Sequence, residues 1–97
     1  YQQRRNLMVN AFASMGIPVA EPEGAFYIFP DIRKTGLSSE EFATRLINEY
    51  KVAVVPGNVF GAGAEGFVRC CYATEIGKLK EAMRRFALMV EGKPLDQ

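Results

Sequence analysis

The sequence of 97 residues contains no histidine and only two cysteines. Without histidine the chain lacks the side chain that most often binds metal ions and that most often transfers protons near neutral pH. The two cysteines, Cys70 and Cys71, are adjacent, a spacing that fits neither a zinc site nor a disulfide framework. We therefore expect no metal site, and two reduced cysteines favour a cytoplasmic location.

An excess of charge and long apolar segments are also missing. Twelve basic and eleven acidic residues give a formal charge of +1, so the chain has no general attraction for nucleic acid or for an anionic membrane. No apolar run reaches the roughly 18 residues that a membrane-spanning helix needs, and no basic segment precedes an apolar one as in a signal peptide. We expect neither nucleic acid nor a membrane as a partner.

The composition is that of one small folded domain. Hydrophobic residues make up 48% of the chain, which is enough for one core and excludes a disordered tail. The first residues, Tyr1 to Arg5, already read as helix, and no methionine initiates them. We therefore expect one domain, residues 1–97, of a longer protein.

Three segments have the apolar spacing of helices. Residues 3–15 form the first helix, which Gly16 and Pro18 end. Ser38 and Glu41 form a capping box at the start of the second helix, and Thr74 is expected to cap the third. The side chains expected in the core are Leu7, Met8, Phe12 and Met15 in the first helix, Phe42, Leu46, Ile47 and Tyr50 in the second, and Leu79, Ala82, Met83, Phe86 and Met89 in the third.

Residues 25–29, 52–55 and 66–73 are predicted as strands, which gives the element order α-β-α-β-β-α. This order predicts an α/β (α+β) sandwich of two layers, in which a small three-stranded sheet carries helices on one face. Side-chain alternation in the last strand places Val68, Cys70 and Tyr72 on one face and Phe67, Arg69 and Cys71 on the other. The first, uncharged set is expected to face the helices, so the second set needs a partner from outside the chain.

A glycine-rich loop precedes the last strand. Residues 61–66 (Gly-Ala-Gly-Ala-Glu-Gly) match the dinucleotide-binding pattern G-x-G-x-x-G, but that pattern must open a helix and this one runs into a strand. We therefore reject a nucleotide site. Residues 56–61 are most simply a flexible surface connection, although Val59 and Phe60 place apolar side chains at its tip, which is unfavourable unless something covers them.

Arg69 has two interpretations, because it lies in mid-strand with apolar neighbours. The simpler one is a sheet arginine that pairs with a surface carboxylate. The other is an anion-binding residue, since a guanidinium is a planar, permanently charged fork that matches a carboxylate with two hydrogen bonds. The residues alone leave both open, with the simpler one favoured.

Four blocks of sequence together resemble a known family. They are residues 23–30 (Glu-Gly-Ala-Phe-Tyr-Ile-Phe-Pro), 39–43 (Ser-Glu-Glu-Phe-Ala), 52–61 (Val-Ala-Val-Val-Pro-Gly-Asn-Val-Phe-Gly) and 66–73 (Gly-Phe-Val-Arg-Cys-Cys-Tyr-Ala). In this order they resemble the C-terminal small domain of class I/II aminotransferases, the fold-type I pyridoxal-phosphate enzymes related to aspartate aminotransferase. The opening Tyr-x-x-Arg-Arg is similar to the helix that leads into that domain.

The resemblance implies roles for four residues. Arg69 corresponds to the family's arginine that binds the α-carboxylate of the amino-acid substrate. Gly24, Phe26 and Phe60 correspond to residues near the substrate entrance. No residue of the chain is expected to be catalytic or to bind the cofactor, because the family's cofactor-binding lysine, its aspartate facing the pyridine nitrogen and its phosphate-binding groups belong to the missing large domain.

For the complete enzyme the resemblance implies a cytoplasmic homodimer. It would use pyridoxal 5'-phosphate to transfer an amino group between an amino acid and a 2-oxo acid. The chain alone is expected to bind no cofactor and to be inactive. Two alternatives stay open: lyases and synthases of the same fold keep this domain and its arginine, and a stand-alone α/β binding module is also compatible with the residues.

Overall fold

A computed structural model describes residues 2–20 and 27–95. Its three helices are α1 (Gln2–Ser14), α2 (Ser39–Tyr50) and α3 (Ile76–Glu91). The strands are β1 (Val19–Ala20), β2 (Tyr27–Pro30), β3 (Val55–Pro56) and β4 (Val68–Cys71). Single turns of 3-10 helix lie at Arg33–Thr35, Gly57–Phe60 and Ala62–Ala64.

The four strands form one antiparallel sheet in the order β1-β2-β4-β3. The two-layer α/β architecture is confirmed, but the prediction of three strands and of the order α-β-α-β-β-α was wrong, because β1 adds a strand before β2. β1 has only two residues, paired with the end of β2, and a segment of that length is too short to show an alternating pattern.

The strands are also shorter than predicted. Of residues 52–55 only Val55 belongs to β3, since the chain leaves α2 through Lys51 in a left-handed conformation (φ 62°) and needs the next residues to reach the sheet edge. β4 covers Val68–Cys71 of the predicted 66–73, with Phe67 in a single bridge to Asp31. The first predicted strand begins at residues 25 and 26, which lie outside the described residues.

The start of α2 confirms the predicted capping box. The Ser38 hydroxyl accepts a hydrogen bond from the Glu41 N–H at 3.1 Å, and the Ser38 N–H donates to the Glu41 carboxylate at 3.1 Å. The second bond favours the ionised carboxylate and lowers the pKa of Glu41. In the described part of the chain, none of the helices combines the length and apolar character needed to span a membrane.

Two predictions about the helices were wrong. Ile47 is 43% exposed instead of buried, because it lies about 100° around the helix from Leu46, at the margin of the buried stripe. Thr74 is not the cap of α3: the chain turns into the helix one residue later, at Glu75, and no side chain there accepts a capping hydrogen bond. The Thr74 carbonyl instead accepts a hydrogen bond from Arg4 of α1.

The core lies between the three helices and one face of the sheet. Phe86 of α3 is at its centre, with ring centroids 4.9 Å from Phe12 of α1 and 5.2 Å from Phe42 of α2. The sheet contributes Val68, Cys70 and Tyr72, all buried, which confirms the predicted inner face of the last strand. Burial raises the pKa of the Cys70 thiol to about 12, because a thiolate would lose its hydration there.

Candidate functional site

The sheet face turned away from the helices, called the outer face below, carries Phe67, Arg69 and Cys71 of the β4 region. Phe67 and Arg69 are half-buried and Cys71 is exposed, so the chain's own helices leave this face partly uncovered, as expected. The side chains on the two faces of β4 therefore have different surroundings. The inner set is packed and neutral, and the outer set retains a charged side chain next to solvent.

The strand register brings two aromatic residues of β2 to the same face. Tyr27 pairs with Cys71, and Asp31 bridges to Phe67, so Phe29 lies directly opposite Arg69 and Tyr27 lies diagonal to it. Directly opposed side chains in an antiparallel pair are about 5 Å apart at Cβ, and diagonal ones remain within reach of long side chains. The register thus places Arg69 between aromatic neighbours.

Arg69 makes two close cation–π contacts. Its guanidinium carbon lies 4.2 Å from the ring centroid of Tyr27 and 4.9 Å from that of Phe60. Phe60 in turn meets Phe29 edge-to-face, with centroids 5.9 Å apart and ring planes at 79°. Tyr27, Phe29, Phe60 and Arg69 therefore form one contact group, called the aromatic–arginine cluster below.

The loop that carries Phe60 is fixed to both the sheet and α2. The Gly57 N–H donates to the Phe67 carbonyl at 2.7 Å, where the chain leaves β3. Further along, the Gly66 N–H donates to the buried Ser39 hydroxyl at 2.7 Å, and the Ser39 N–H donates to the Glu65 carboxylate at 2.9 Å. Residues 58–61 are exposed, as predicted for a surface connection, and these bonds and two 3-10 turns define the path of the loop.

The two arginines near the outer face, Arg33 and Arg69, differ in whether a described carboxylate pairs with them. The Arg33 guanidinium, which stacks on Phe67 at 5.6 Å, pairs with the Asp31 carboxylate at 2.6 Å. The hydrogen bonds from Arg33 hold the pKa of Asp31 below its usual value, so this carboxylate stays ionised and neutralises its partner. Among residues 2–20 and 27–95, no carboxylate pairs with Arg69 in this way. The interpretation of Arg69 as a sheet arginine with a surface partner therefore fails for the described residues.

Two of the four predicted site residues meet in this cluster. Arg69 and Phe60 are in contact, whereas Gly24 and Phe26 lie outside the described residues. Tyr27 and Phe29 also belong to the cluster, and the sequence reasoning did not assign them to the site. Their alternation with Ile28 and Pro30 in an aromatic strand was a usable signal, but only the register with β4 shows which side chain they accompany.

Three other cations line one groove of the chain, and two of them are engaged by neighbouring groups. A groove of about 580 Å³ between residues 51–53 and α3 is lined by Lys51, Lys78 and Arg85 among others. Lys51 donates to the Asn48 carbonyl at 2.9 Å, and Arg85 donates to Glu81 and to the Tyr50 carbonyl. Within the described ranges, no three His, Cys, Asp or Glu side chains converge as a metal site. The aromatic–arginine cluster is therefore the better candidate for a binding site.

The chemistry of the cluster suits a planar anion. Aromatic rings contact the face of a guanidinium, whereas its N–H donors point outward in its own plane. A carboxylate that approaches in this plane can accept two charge-assisted hydrogen bonds, each about twice as strong as a neutral one.

Comparison with known proteins finds relatives that are named as aminotransferases. The family model described as aminotransferase class I and II matches residues 1–86. Aromatic-amino-acid aminotransferase 2 of Thermococcus litoralis is 52% identical over 95 residues, which are 98% of this chain and 24% of that protein. An aspartate aminotransferase of Pyrococcus abyssi is 50% identical over 95 residues, again 98% of this chain and 24% of the relative.

A solved structure agrees with the sequence relatives. The aromatic aminotransferase from Pyrococcus horikoshii superposes with a TM-score of 0.89 at 48% sequence identity. The match covers 95% of this chain and 24% of the chain in that structure. The chain thus spans about a quarter of the length of the relatives that it matches. Since the family model covers most of the chain and the fold agrees, this chain belongs to the class I and II aminotransferases.

Proposed function

We propose that the chain is the small C-terminal domain of a pyridoxal-phosphate-dependent aminotransferase and that Arg69 binds the α-carboxylate of the substrate. The observation that carries this proposal is the placement of the Arg69 guanidinium against two aromatic rings, with no described carboxylate paired to it. The substrates would be an amino acid and a 2-oxo acid, which share the α-carboxylate. One arginine would serve both halves of the transfer.

The described residues do not fit pyridoxal phosphate itself. A site for it needs a lysine and several donors to the phosphate, and no described lysine has a hydrogen bond, ion pair or ring contact with the aromatic–arginine cluster. Lys34 donates to the Met15 carbonyl, Lys51 to the Asn48 carbonyl, and Lys93 pairs with Glu91. Lys78 and Lys80 are exposed on α3, in the helix layer. We infer that the cofactor, which supplies the amino-group chemistry in this family, is held by a large domain outside this chain.

Arg69 would orient the substrate. A carboxylate held by two hydrogen bonds from one rigid fork has lost most of its rotational freedom, so the adjoining Cα is held in one direction. Phe60, half exposed beside the guanidinium, would form part of the wall along which the substrate enters. Gly24 and Phe26 remain proposed neighbours of that entrance through the resemblance alone. Chemistry at Cα would need groups outside the chain, so the chain alone would be inactive.

The amino acid that the enzyme prefers is left open by the relatives. An aromatic-amino-acid aminotransferase and an aspartate aminotransferase are nearly equally identical to this chain. The part of the fold present here would therefore recognise what the substrates share, and side-chain preference would come largely from elsewhere. The resemblance further implies a cytoplasmic homodimer, which light scattering and cell fractionation of the complete protein would test.

Substitution of Arg69 in the complete enzyme tests the proposal. A charge-assisted hydrogen bond contributes roughly 1.5–3 kcal/mol, so loss of two in Arg69→Ala should lower kcat/KM for amino acids by about 10²–10⁴. Arg69→Lys should restore only part, because an ammonium lacks the planar fork. Detection of both the 2-oxo acid product and the newly formed amino acid would separate transamination from elimination by a related lyase.

The control is an amine substrate without an α-carboxylate. Its slow turnover should be almost unchanged in Arg69→Ala, and the thermal unfolding temperature should shift little because the guanidinium is not in the core. An equal loss of activity for both substrates would mean that Arg69 is structural and that the carboxylate assignment is wrong.

A further inference from the structure

We propose that Tyr27 and Phe60 are positioning residues that hold the Arg69 guanidinium in the orientation needed for carboxylate binding. The inference rests on the proposed function, since it concerns how the same arginine is presented. It adds one residue, Tyr27, that the sequence did not point to, and it gives Phe60 a specific task. The two residues are called the aromatic clamp below.

The clamp consists of two rings from separate parts of the chain. Tyr27 belongs to β2, which is hydrogen-bonded to β4, and its ring centroid lies 4.2 Å from the Arg69 guanidinium carbon. Phe60 ends the 3-10 turn that follows β3, and its centroid lies 4.9 Å from the same carbon. Both distances are well inside the roughly 6 Å limit for a cation–π attraction.

An arginine at this position needs such support. Its side chain has several rotatable bonds and loses considerable entropy when it is held in one rotamer. No hydrogen bond within the described residues fixes the Arg69 guanidinium, in contrast to Arg33, which four hydrogen bonds join to Asp31 through its backbone and side chain. Within the described part of the chain, the two ring contacts are therefore the interactions that restrict where the Arg69 guanidinium lies.

Aromatic support also leaves the donors of Arg69 available. A carboxylate neighbour would occupy the same in-plane N–H groups that a substrate carboxylate needs, and it would cancel the charge that attracts the substrate. A ring contacts the guanidinium face and adds no formal charge. The cluster thus restricts the position of the cation, and no described residue occupies its N–H donors.

Phe60 is itself supported from behind. Phe29, directly opposite Arg69 across the β2–β4 pair, meets the Phe60 ring edge-to-face at 5.9 Å. Phe60 is 46% exposed, so its ring remains accessible beside the Arg69 guanidinium.

The test compares ring removal with ring retention in the complete enzyme. Tyr27→Leu and Phe60→Leu should each lower kcat/KM for amino-acid substrates by roughly 2- to 30-fold, the range that loss of one cation–π contact gives. Tyr27→Phe and Phe60→Tyr keep the rings and should each lose less activity than the leucine variant at the same position. Phe67→Leu is the matched control, because Phe67 is an outer-face aromatic that contacts Arg33 and not Arg69.

The decisive readout is selectivity between an amino acid and an amine without the α-carboxylate. Loss confined to the amino acid in the leucine variants, together with a smaller loss in Tyr27→Phe and Phe60→Tyr, would support the clamp. Equal loss for both substrates, or the same selective loss in Phe67→Leu, would overturn it.

Arg69→Ala in the same assay separates failure of the clamp from failure of the proposed function. If Arg69→Ala is selective for the carboxylate and the leucine variants are unchanged, the clamp is wrong and the carboxylate role stands. If Arg69→Ala itself shows no selectivity, the carboxylate role is wrong, and the clamp fails with it.

Discussion

Replacement of Gly57 by alanine tests how firmly the turn that carries Phe60 is held against the end of β4. A Cβ atom at position 57 would lie 2.1 Å from the Ala64 carbonyl oxygen and 2.6 Å from the Phe67 carbonyl oxygen. Both are backbone atoms, so no side chain can rotate away. To restore ordinary contact the turn must move by roughly 1 Å, and that movement strains the bond from the Gly57 N–H to the Phe67 carbonyl.

The expected loss of stability follows from three terms. Overpacking of a tight site costs about 1–3 kcal/mol, and a weakened hydrogen bond costs about 0.5–1.5 kcal/mol. Alanine also restricts the unfolded chain, which offsets about 0.4–1 kcal/mol. The free energy of unfolding should therefore fall by about 2 kcal/mol, or about 8–16 °C in the unfolding temperature for a domain of this size.

Urea unfolding of the 97-residue chain, followed by circular dichroism, measures this loss. The matched control is Gly63→Ala in the same loop, where an added Cβ would have no neighbour within 4 Å. The control should unfold at the wild-type urea concentration or slightly above it. Equal urea midpoints for Gly57→Ala and Gly63→Ala would show that the turn is not packed tightly against β4. The conclusion that this packing fixes the position of Phe60 would then be wrong.

Two further predictions use the cysteines and the cofactor. In the folded chain at pH 8, an alkylating reagent should label exposed Cys71 well before buried Cys70, because the raised pKa of Cys70, about 12, leaves almost no thiolate. Peptide mass spectrometry would show the order of labelling. Equal labelling rates for the two cysteines would contradict the burial of Cys70 on the inner face. The chain alone should bind neither pyridoxal phosphate nor pyridoxamine phosphate specifically, because no described lysine contacts the aromatic–arginine cluster. Saturable binding in equilibrium dialysis that one lysine substitution abolishes would contradict this.

The helices and the two faces of β4 could be predicted from the sequence because their signals are local. The side chains of Ser38 and Glu41 each accept a hydrogen bond from the other residue's backbone N–H within one helical turn. This pair can be recognised from the sequence without knowledge of the rest of the fold. The period of two along β4 separates buried Cys70 from half-buried Arg69 in the same way. Where the signal was weaker the prediction failed. Ile47 sits at the margin of an apolar stripe, and Thr74 precedes a helix that begins one residue later than its sequence suggests.

The composition of the site could be predicted only in part. The family resemblance pointed to Arg69 and Phe60, but the contact between them depends on a 3-10 turn whose path is set by long-range hydrogen bonds. The contribution of Tyr27 depends on the register of β2 against β4, and a shift by one residue would move its ring to the other face. Neither feature has a local signature, so three-dimensional pairing had to be known first.

The position of Arg69 depends on the core beneath it. β4 is flanked by β2 and β3, so the backbone on both sides of Arg69 is fixed by hydrogen bonds. Its chain neighbours, Val68 and Cys70, are buried against the helices and prevent rotation of the strand. A close-packed core resists displacement of the strand, because adding or removing even one methylene group disturbs the packing. Substitutions on the inner face of β4 should therefore shift the guanidinium as well as lower stability, whereas substitutions on the outer face can alter binding and leave the core intact.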